Sequence, residues 1–135
     1  MYSNILIPVV LGEGGNTKAS FEVARALAAD DAHFVVMHVM EDIPAYAASQ
    51  IPQSVRDNTR REIMETLEQK ASGLAGAEAI LDHGHVAHAI LDQASKRGSD
   101  CIIIASHKPG LSNLLLGSTA DRVVRHARCA VHVIR

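Results

Sequence analysis

The chain has 135 residues, of which 47% are hydrophobic and 21% charged, and its formal net charge is −2 at pH 7. This length predicts one domain over residues 1–135, and the apolar content suffices for a core, which excludes a disordered segment. The slightly acidic balance and the two Tyr and two Phe provide neither a positive field nor a stacking platform for nucleic acid. No apolar run approaches the roughly 20 residues of a membrane span, and the start lacks a basic leader region, so we expect a cytoplasmic protein without membrane insertion.

Five short apolar runs alternate with helical patterns along the chain. In chain order, the strands are predicted over 5–10, 34–40, 78–81, 101–105 and 130–134, and the helices over 17–29, 54–74, 86–96 and 118–127. Continuous apolar strands between helices predict a three-layer α/β sandwich with a mostly parallel, doubly wound sheet. Such sheets bind ligands beyond the carboxyl ends of their strands, at the switch point. Two strand orders are common in these folds, and the pattern does not choose between them.

Two of the loops at these carboxyl ends carry little specific signal. The glycine-rich segment 12–16 lacks the Gly-Lys-Ser/Thr ending of a phosphate-binding P-loop, and Thr17 stands where a dinucleotide fingerprint has its third glycine. We therefore interpret it as a flexible loop. The segment 41–53 contains Pro44 and Pro52 and is predicted to be a long irregular connection, which is typical of functional or mobile loops.

The loop that leaves the fourth predicted strand is the most informative. It runs from Ser106 to Gly117 and ends where Ser118 and Thr119 begin a helix. A helix N-terminus exposes free N–H groups and a partial positive charge, which suits a phosphate, and Lys108 would add a point charge. The alternative is ordinary capping of the helix by Ser118 or Thr119.

At this point the sequence resembles a known family. The segments 106–120, 123–127 and 131–135 are similar to the C-terminal signature of the universal stress proteins, and Ile5–Val9 and His38-Val39 match the same family. The resemblance spans the whole chain. It implies strand order 3-2-1-4-5, a homodimer formed through the last strand, and ATP binding through the motif Gly-x2-Gly-x9-Gly-Ser/Thr.

The chain departs from this family pattern in two places. Ala105 and Lys108 stand at the first two glycines of the motif, and the span to Gly117 is one residue shorter. The stretch resembles a branch with Ser-His-Arg-Pro at this place, so Lys108 would replace the arginine as a phosphate contact. Members that bind ATP commonly carry Asp where this chain has Val10, so a carboxylate that binds ribose or a metal is missing.

The resemblance nevertheless implies a set of site residues. It places Pro8, Val9 and Val10 beside the adenosine, and Val39 offers backbone groups to adenine. Ala105 and His107 lie near the ribose in this scheme. The phosphate contacts it implies are Lys108, Gly117, Ser118 and Thr119. The implied cofactor is ATP, with Mg²⁺ where a metal takes part. The last predicted strand is apolar and lies at an edge, which favours self-pairing across a two-fold axis. The predicted interface is Ala130, Val131, His132, Val133 and Ile134.

Other candidate residues carry weaker signals. His83, His85 and His88 are close enough in sequence for a zinc or nickel site, but exposed histidines are the better interpretation because no cysteine or acidic cluster accompanies them. Cys101 and Cys129 are expected to be buried thiols, since no CxxC spacing indicates a redox pair. His38 is expected in the core or at the pocket edge, and Arg125 in an ion pair.

The sequence therefore favours a nucleotide-binding regulator. No Ser-His-Asp or Cys-His arrangement is identifiable, and phosphoryl transfer needs a positioned metal, for which Glu13 and Asp42 are the nearest acidic residues. We predict a sensor that binds ATP or a related adenine nucleotide, with at most slow hydrolysis, in which occupancy alters segment 41–53 and the binding of an unknown protein partner. A nucleotide-free dimeric interaction module is the main alternative. A flavodoxin-like redox domain is a third interpretation, and the few aromatic residues weigh against it.

Overall fold

The computed structural model describes residues 1–12, 17–106 and 116–135. Ten helices and strands lie in these ranges, and their order alternates strand and helix along most of the chain. They are β1 (Tyr2–Pro8), α1 (Thr17–Leu27), β2 (Ala28–Met40), α2 (Ala45–Ala48), α3 (Gln53–Ala71), β3 (Glu78–His83), α4 (Val86–Lys96), β4 (Cys101–Ala105), α5 (Ser118–His126) and β5 (Ala130–Ile134). No helix of the described part of the chain has the length and apolar character to cross a membrane.

The strands form one five-stranded sheet in the order β3-β2-β1-β4-β5. All four neighbouring pairs are parallel, and Leu6 at the centre lies opposite Val35 in β2 and Ile102 in β4. The chain moves outwards from β1 in one direction and then returns to build the other half, so β1 and β4 flank the switch point. The predicted α/β class and the strand order 3-2-1-4-5 implied by the family resemblance are both confirmed.

Helices cover both faces of this sheet and create two separate cores. One core joins α1 and α3 to the strand side chains that include Ile5, Ile7 and Ile103. The other joins α4 and α5 to side chains such as Leu6 and Ile102 on the opposite face. Successive residues of a strand point to opposite faces, so a strand buried on both sides must be apolar throughout. Full burial of each such side chain contributes about 1.5–3 kcal/mol to folding.

One side chain fixes the two central strands relative to each other. Asp100, directly before β4, accepts hydrogen bonds from the backbone N–H groups of Ser3 and Asn4 in β1, at 2.8 and 2.9 Å. The N–H of Asp100 in turn donates to the carbonyl of Asn4 at 2.9 Å. These contacts hold the amino ends of β1 and β4 in register, and this register also aligns their carboxyl ends.

The boundary between the first helix and the second strand differs from the prediction. The helix ends at Leu27 rather than 29, and β2 begins at Ala28, six residues before the apolar run at Phe34. Residues Ala28 and His33 pair with Tyr2 and Asn4 across a shift in register. Asp30, Asp31 and His33 in this part of β2 are exposed, so the hydrophobic pattern alone marks only the buried half of the strand.

Smaller corrections concern other element ends. The first strand is displaced from 5–10 to Tyr2–Pro8, the third helix spans Gln53–Ala71 rather than 54–74, and β3 continues to His83. Segment 41–53, predicted to be irregular, contains the single-turn helix α2. Val123 is fully buried whereas its neighbour Val124 is 43% exposed, because α5 packs with only one face.

Candidate functional site

The carboxyl ends of β1 and β4 lie side by side at one edge of the sheet. Leu6 of β1 is paired with Ile102 of β4. Three residues further along each segment, Val9 lies beside Ala105. On the other side, Pro8 is paired with Met37 of β2. A crevice at the switch point of a doubly wound sheet is the usual place for a ligand. Of the predicted site residues, Pro8, Val9 and Ala105 therefore meet at this edge.

The backbone just beyond β1 is held by two contacts from β2. The N–H of Val9 donates to the carbonyl of Met37 at 2.8 Å. The carbonyl of Val9 accepts from Nδ1 of His38 at 2.9 Å, so the half-buried imidazole carries its proton on Nδ1. Val9 is buried, whereas Val10 is 61% exposed, which leaves an apolar side chain on the open side of the crevice.

Val39 contributes its backbone rather than its side chain to this edge. The side chain is buried in the core beneath α4 and α5. The carbonyl of Met37 points to β1. Backbone groups of successive residues in a strand point to alternate sides, and Val39 is two residues after Met37. The N–H and carbonyl of Val39 therefore also point to the β1 side. At this level β1 has already ended, at Pro8. The peptide groups of Val39 therefore face the space beyond β1.

The start of α5 completes the arrangement. Gly117 is the N-cap residue and Ser118 is the first helical residue. Within residues 1–12, 17–106 and 116–135, no side chain caps the helix. The N–H of Gly117 donates to Oγ of Ser106 at 2.9 Å, and the N–H of Ser106 donates to the carbonyl of Ile134 at 2.8 Å. Ser106 thus joins the ends of β4 and β5 to the start of α5. The alternative in which Ser118 or Thr119 caps the helix is not found.

The backbone of Gly117 does not itself demand glycine. Its φ is −60° and its ψ is 152°, values open to any residue. A Cβ added there would meet only Oγ of Ser106, at the ordinary contact distance of 3.8 Å. Because an uncapped helix start offers N–H groups and a partial positive charge, the arrangement can bind an anion. The predicted phosphate residues Gly117, Ser118 and Thr119 lie together at this helix start.

Two predicted site residues, His107 and Lys108, lie outside the described residues, as does Glu13. The other acidic candidate, Asp42, accepts from Nδ1 of His83 at 3.3 Å in an exposed pair. This pair links the end of β3 to the segment after β2 and is separate from the start of α5.

The remaining histidines do not form a metal centre in the described ranges. Nδ1 of His85 accepts the N–H of His88 at 3.4 Å and so caps α4. No group of three or more His, Cys, Asp or Glu in the described part of the chain is arranged to hold a metal ion. Burial acts to raise the pKa of Asp82, but hydrogen bonds from the Gln93 amide and the His83 N–H, together with electrostatic interactions with His83 and Lys96, outweigh it, and the pKa lies below its usual value.

The comparisons with known proteins place the chain in a family. The model of the universal stress protein family matches residues 1–135. The chain belongs to this family. Universal stress protein G of Escherichia coli O157:H7 is 30% identical over 142 residues, covering 100% of both chains. Universal stress protein A homolog 2 of Coxiella burnetii is 31% identical over 140 residues, covering 99% of this chain and 95% of the relative.

Solved structures share the fold of this universal stress protein. The protein MJ0577 superposes with a TM-score of 0.81 at 22% identity, over 99% of this chain and 96% of its own. The Archaeoglobus fulgidus universal stress protein in complex with dAMP gives 0.65 at 19% identity, over 99% and 98%. An Arabidopsis thaliana family protein with AMP bound gives 0.63 at 20%, over 98% and 90%. At these identities the likeness establishes the fold.

Two residues of the site were missed or only partly identified by sequence reasoning. Ser106 was recognised as part of the family signature but not as a site residue, and its contact with Gly117 spans eleven positions. His38 was placed in the core or at the pocket edge, without its contact to the Val9 carbonyl. Both contacts join different strands or loops, so no local spacing reveals them.

The predicted interface residues all lie in β5, at the edge of this universal stress protein's sheet. In the described structure β5 pairs with β4 on one side only. The carbonyl of Ile134 accepts from Ser106 on the β4 side, so the backbone groups of Val131 and Val133 alternate to the open side. The side chains of these two valines pack on the core beneath α4 and α5. The edge thus presents unpaired backbone groups in the single chain.

Proposed function

We propose that this protein binds an adenine nucleotide, ATP in the first place, at the crevice beyond β1 and β4. The observation that carries the proposal is the start of α5 beyond β4, which no side chain of the described residues caps and which Ser106 joins to that strand. Phosphate groups bind at such helix starts because the N–H groups and the helix dipole both favour negative charge.

The relatives support an adenine ligand in particular. The Archaeoglobus fulgidus family protein is in complex with dAMP and the Arabidopsis thaliana one has AMP bound. Both have the fold of this chain, and the crevice lies where such folds bind ligands. In this proposal Pro8, Val9 and Val10 contact the adenosine and the backbone of Val39 binds adenine.

The remaining roles concern the ribose and the phosphates. Ala105 and His107 lie near the ribose, and the phosphates bind Lys108 and the start of α5 at Gly117–Thr119. The exposed Val10 takes the position where ATP-binding relatives commonly have Asp, so adenosine is held by apolar contact rather than by a carboxylate. Any Mg²⁺ would then be held mainly by the phosphates.

We further propose a regulatory rather than a catalytic role. Efficient hydrolysis needs a metal ligand and a group that orients water, and Val10 offers neither. In the proposed mechanism a cytoplasmic homodimer senses the nucleotide, occupancy changes segment 41–53, and this segment contacts a protein partner. Ile43 and Tyr46 of this segment are exposed apolar side chains, which suit such a contact.

The test combines nucleotide analysis with substitutions at Gly117. The purified protein is denatured, its supernatant is analysed for nucleotide, and the emptied protein is titrated with ATP, ADP and AMP by calorimetry. Gly117→Asp adds a good N-cap and a negative charge beside the phosphates, so we expect at least about tenfold weaker binding with equal or higher thermal stability. Gly117→Ala adds only the Cβ, for which there is room, and should bind within about threefold of the original.

The control for added charge is Ala75→Asp, an exposed position in the turn before β3, at the amino ends of the strands. Empty protein that ignores millimolar nucleotide would refute the proposal and favour the interaction module. Equal binding by Gly117→Asp and the original protein would instead remove the phosphate site from α5. Because Gly117→Asp is expected to stay folded, lost binding is not explained by unfolding.

A further inference from the structure

A second cleft lies between α4 and α5, away from the crevice described above. Its volume is about 370 Å³, and its lining includes Gly98 and Ser99 after α4 and the segment 126–129 after α5. These residues precede β4 and β5 and therefore lie towards the amino ends of the strands. The start of α5 at Gly117 lies at the carboxyl ends. The two sites are thus at opposite edges of the sheet.

The interior of this cleft is apolar. Ile102 of β4 is fully buried and forms part of the lining, together with Leu91 of α4 and Ala127. The volume lies at the lower end of the range for small-molecule pockets, about 300–1,000 Å³. Apolar walls favour the flat or branched body of a small organic molecule over a bare inorganic ion.

The rim of the cleft includes a permanently charged cation, Arg128. Arg128, His126 and His88 line it, and the acidic residue there is Asp92. The carboxylate of Asp92 is already paired with Lys96 at 2.8 Å. Arg128 forms no ion pair with any residue in 1–12, 17–106 or 116–135. A guanidinium without a carboxylate partner beside an apolar cleft is complementary to an anionic group.

We propose that the α4–α5 cleft is a second binding site, for a small organic anion with an apolar body, such as an aryl or short alkyl carboxylate. The carboxylate binds Arg128, and the apolar body contacts the partly exposed side chains of Leu91 and Ala127. Ser95 and Ser99 line the same cleft and offer hydroxyl groups to the ligand. This site does not depend on the proposed nucleotide function, because it shares no residue with that crevice.

The first test is a titration of the isotope-labelled protein with benzoate, followed by amide NMR. We expect saturable shifts confined to the amides of 91–99 and 126–129, with an affinity in the millimolar range as for other fragments of this size. Arg128→Gln should weaken binding at least about fivefold, and benzyl alcohol, which lacks the charge, should bind the original protein correspondingly worse. The matched control is Arg122→Gln, an exposed arginine of α5 outside the cleft, which should bind benzoate unchanged.

The second readout uses the thiol in the cleft. Cys129 is partly exposed and lines the cleft, whereas Cys101 is buried. At one fixed benzoate concentration, alkylation of Cys129 by N-ethylmaleimide should slow at least about threefold in the original protein and clearly less in Arg128→Gln, because that variant is less occupied. Equal benzoate binding by the Arg128 and Arg122 variants, shifts centred on 117–119, or unprotected Cys129 would each overturn the proposal. Saturating AMP should leave the benzoate shifts in place, and displacement by AMP would also contradict a separate site.

Discussion

At the scale of single residues, the two cysteines show how position in the sheet decides chemistry. Cys101 belongs to the core beneath α1 and α3, whereas Cys129 packs against the core on the opposite face. Both cysteines are free thiols in this structure. Burial raises the pKa of Cys101 to about 11, with smaller contributions from Cys129 and Asp100, so its thiol stays protonated at neutral pH.

The raised pKa of Cys101 predicts a loss of stability in alkaline solution. In the unfolded chain the thiol ionises near pH 9, and in the folded protein only near 11. The folded state therefore retains the proton longer, and the free energy of unfolding falls between these two pH values, by up to about 2 kcal/mol. Below pH 9 this contribution is fully present.

Urea unfolding at several pH values from 8 to about 11 measures this effect against Cys101→Ala. The variant loses packing and is less stable at pH 8, but it should lose less stability as the pH rises. The other effects of alkaline pH are common to both proteins and cancel in the difference. Parallel pH profiles for the two proteins would show that Cys101 does not cause the alkaline loss.

At the scale of elements, Ser106 makes a contact on which the geometry of the start of α5 depends. Its Oγ accepts the N–H of Gly117, and its own N–H binds the carbonyl of Ile134. In Ser106→Ala the partly buried N–H of Gly117 loses its acceptor, while the backbone contact to Ile134 is kept. We expect a loss of about 1–2 kcal/mol in stability and severalfold weaker nucleotide binding.

Thermal unfolding and nucleotide titration of Ser106→Ala check this expectation, with two matched variants. Ser106→Thr keeps the hydroxyl and should restore both properties. Ser3→Ala removes an exposed hydroxyl and should change neither. A Ser106→Ala protein as stable as the original would mean that water or another group replaces Oγ at no cost.

Two strands show which elements the sequence predicts and which it does not. The run Ile102–Ile104 predicts a strand buried on both faces because every side chain is apolar, and the structure confirms it. The polar start of β2, which includes Asp30 and Asp31, is a strand only because Tyr2–Asn4 lies beside it. Periodicity reports burial and not pairing, so the pattern predicts that Ala28 and Ala29 end a helix and that the strand starts only at Phe34.

The candidate site also combines features that the sequence predicts with contacts that it does not. The helix start at Gly117 was located by the loop that precedes it and by the family resemblance, and the strand order came from the resemblance alone. The contacts of Ser106 with Gly117 and of His38 with Val9 join residues 11 and 29 positions apart. Such contacts depend on the sheet register, which the pattern of a single sequence does not determine.

At the scale of the whole molecule, the open edge of β5 determines whether the protein is a monomer or a dimer. In this chain β5 is paired on one side only, and an uncovered edge strand invites a second strand. Two copies that pair β5 antiparallel across a two-fold axis would satisfy the backbone groups of both edges. We therefore predict a dimer in solution through Ala130–Ile134.

Proline substitutions in β5 test this dimer with a control built into the strand. The backbone groups of Val133 point to the open edge and those of His132 to β4, because the carbonyl of Ile134 binds Ser106 on the β4 side. Val133→Pro removes one edge N–H and keeps the contacts with β4, so we expect a folded monomer by sedimentation.

Two further variants serve as controls. Val133→Ala reduces the packing beneath α4 and α5 without removing the N–H and should remain dimeric, although less stable. His132→Pro removes an N–H that pairs with β4 and should lower the thermal stability itself. A Val133→Pro protein that sediments as a dimer, or an original protein that is monomeric at micromolar concentration, would place the contact between copies elsewhere or exclude it.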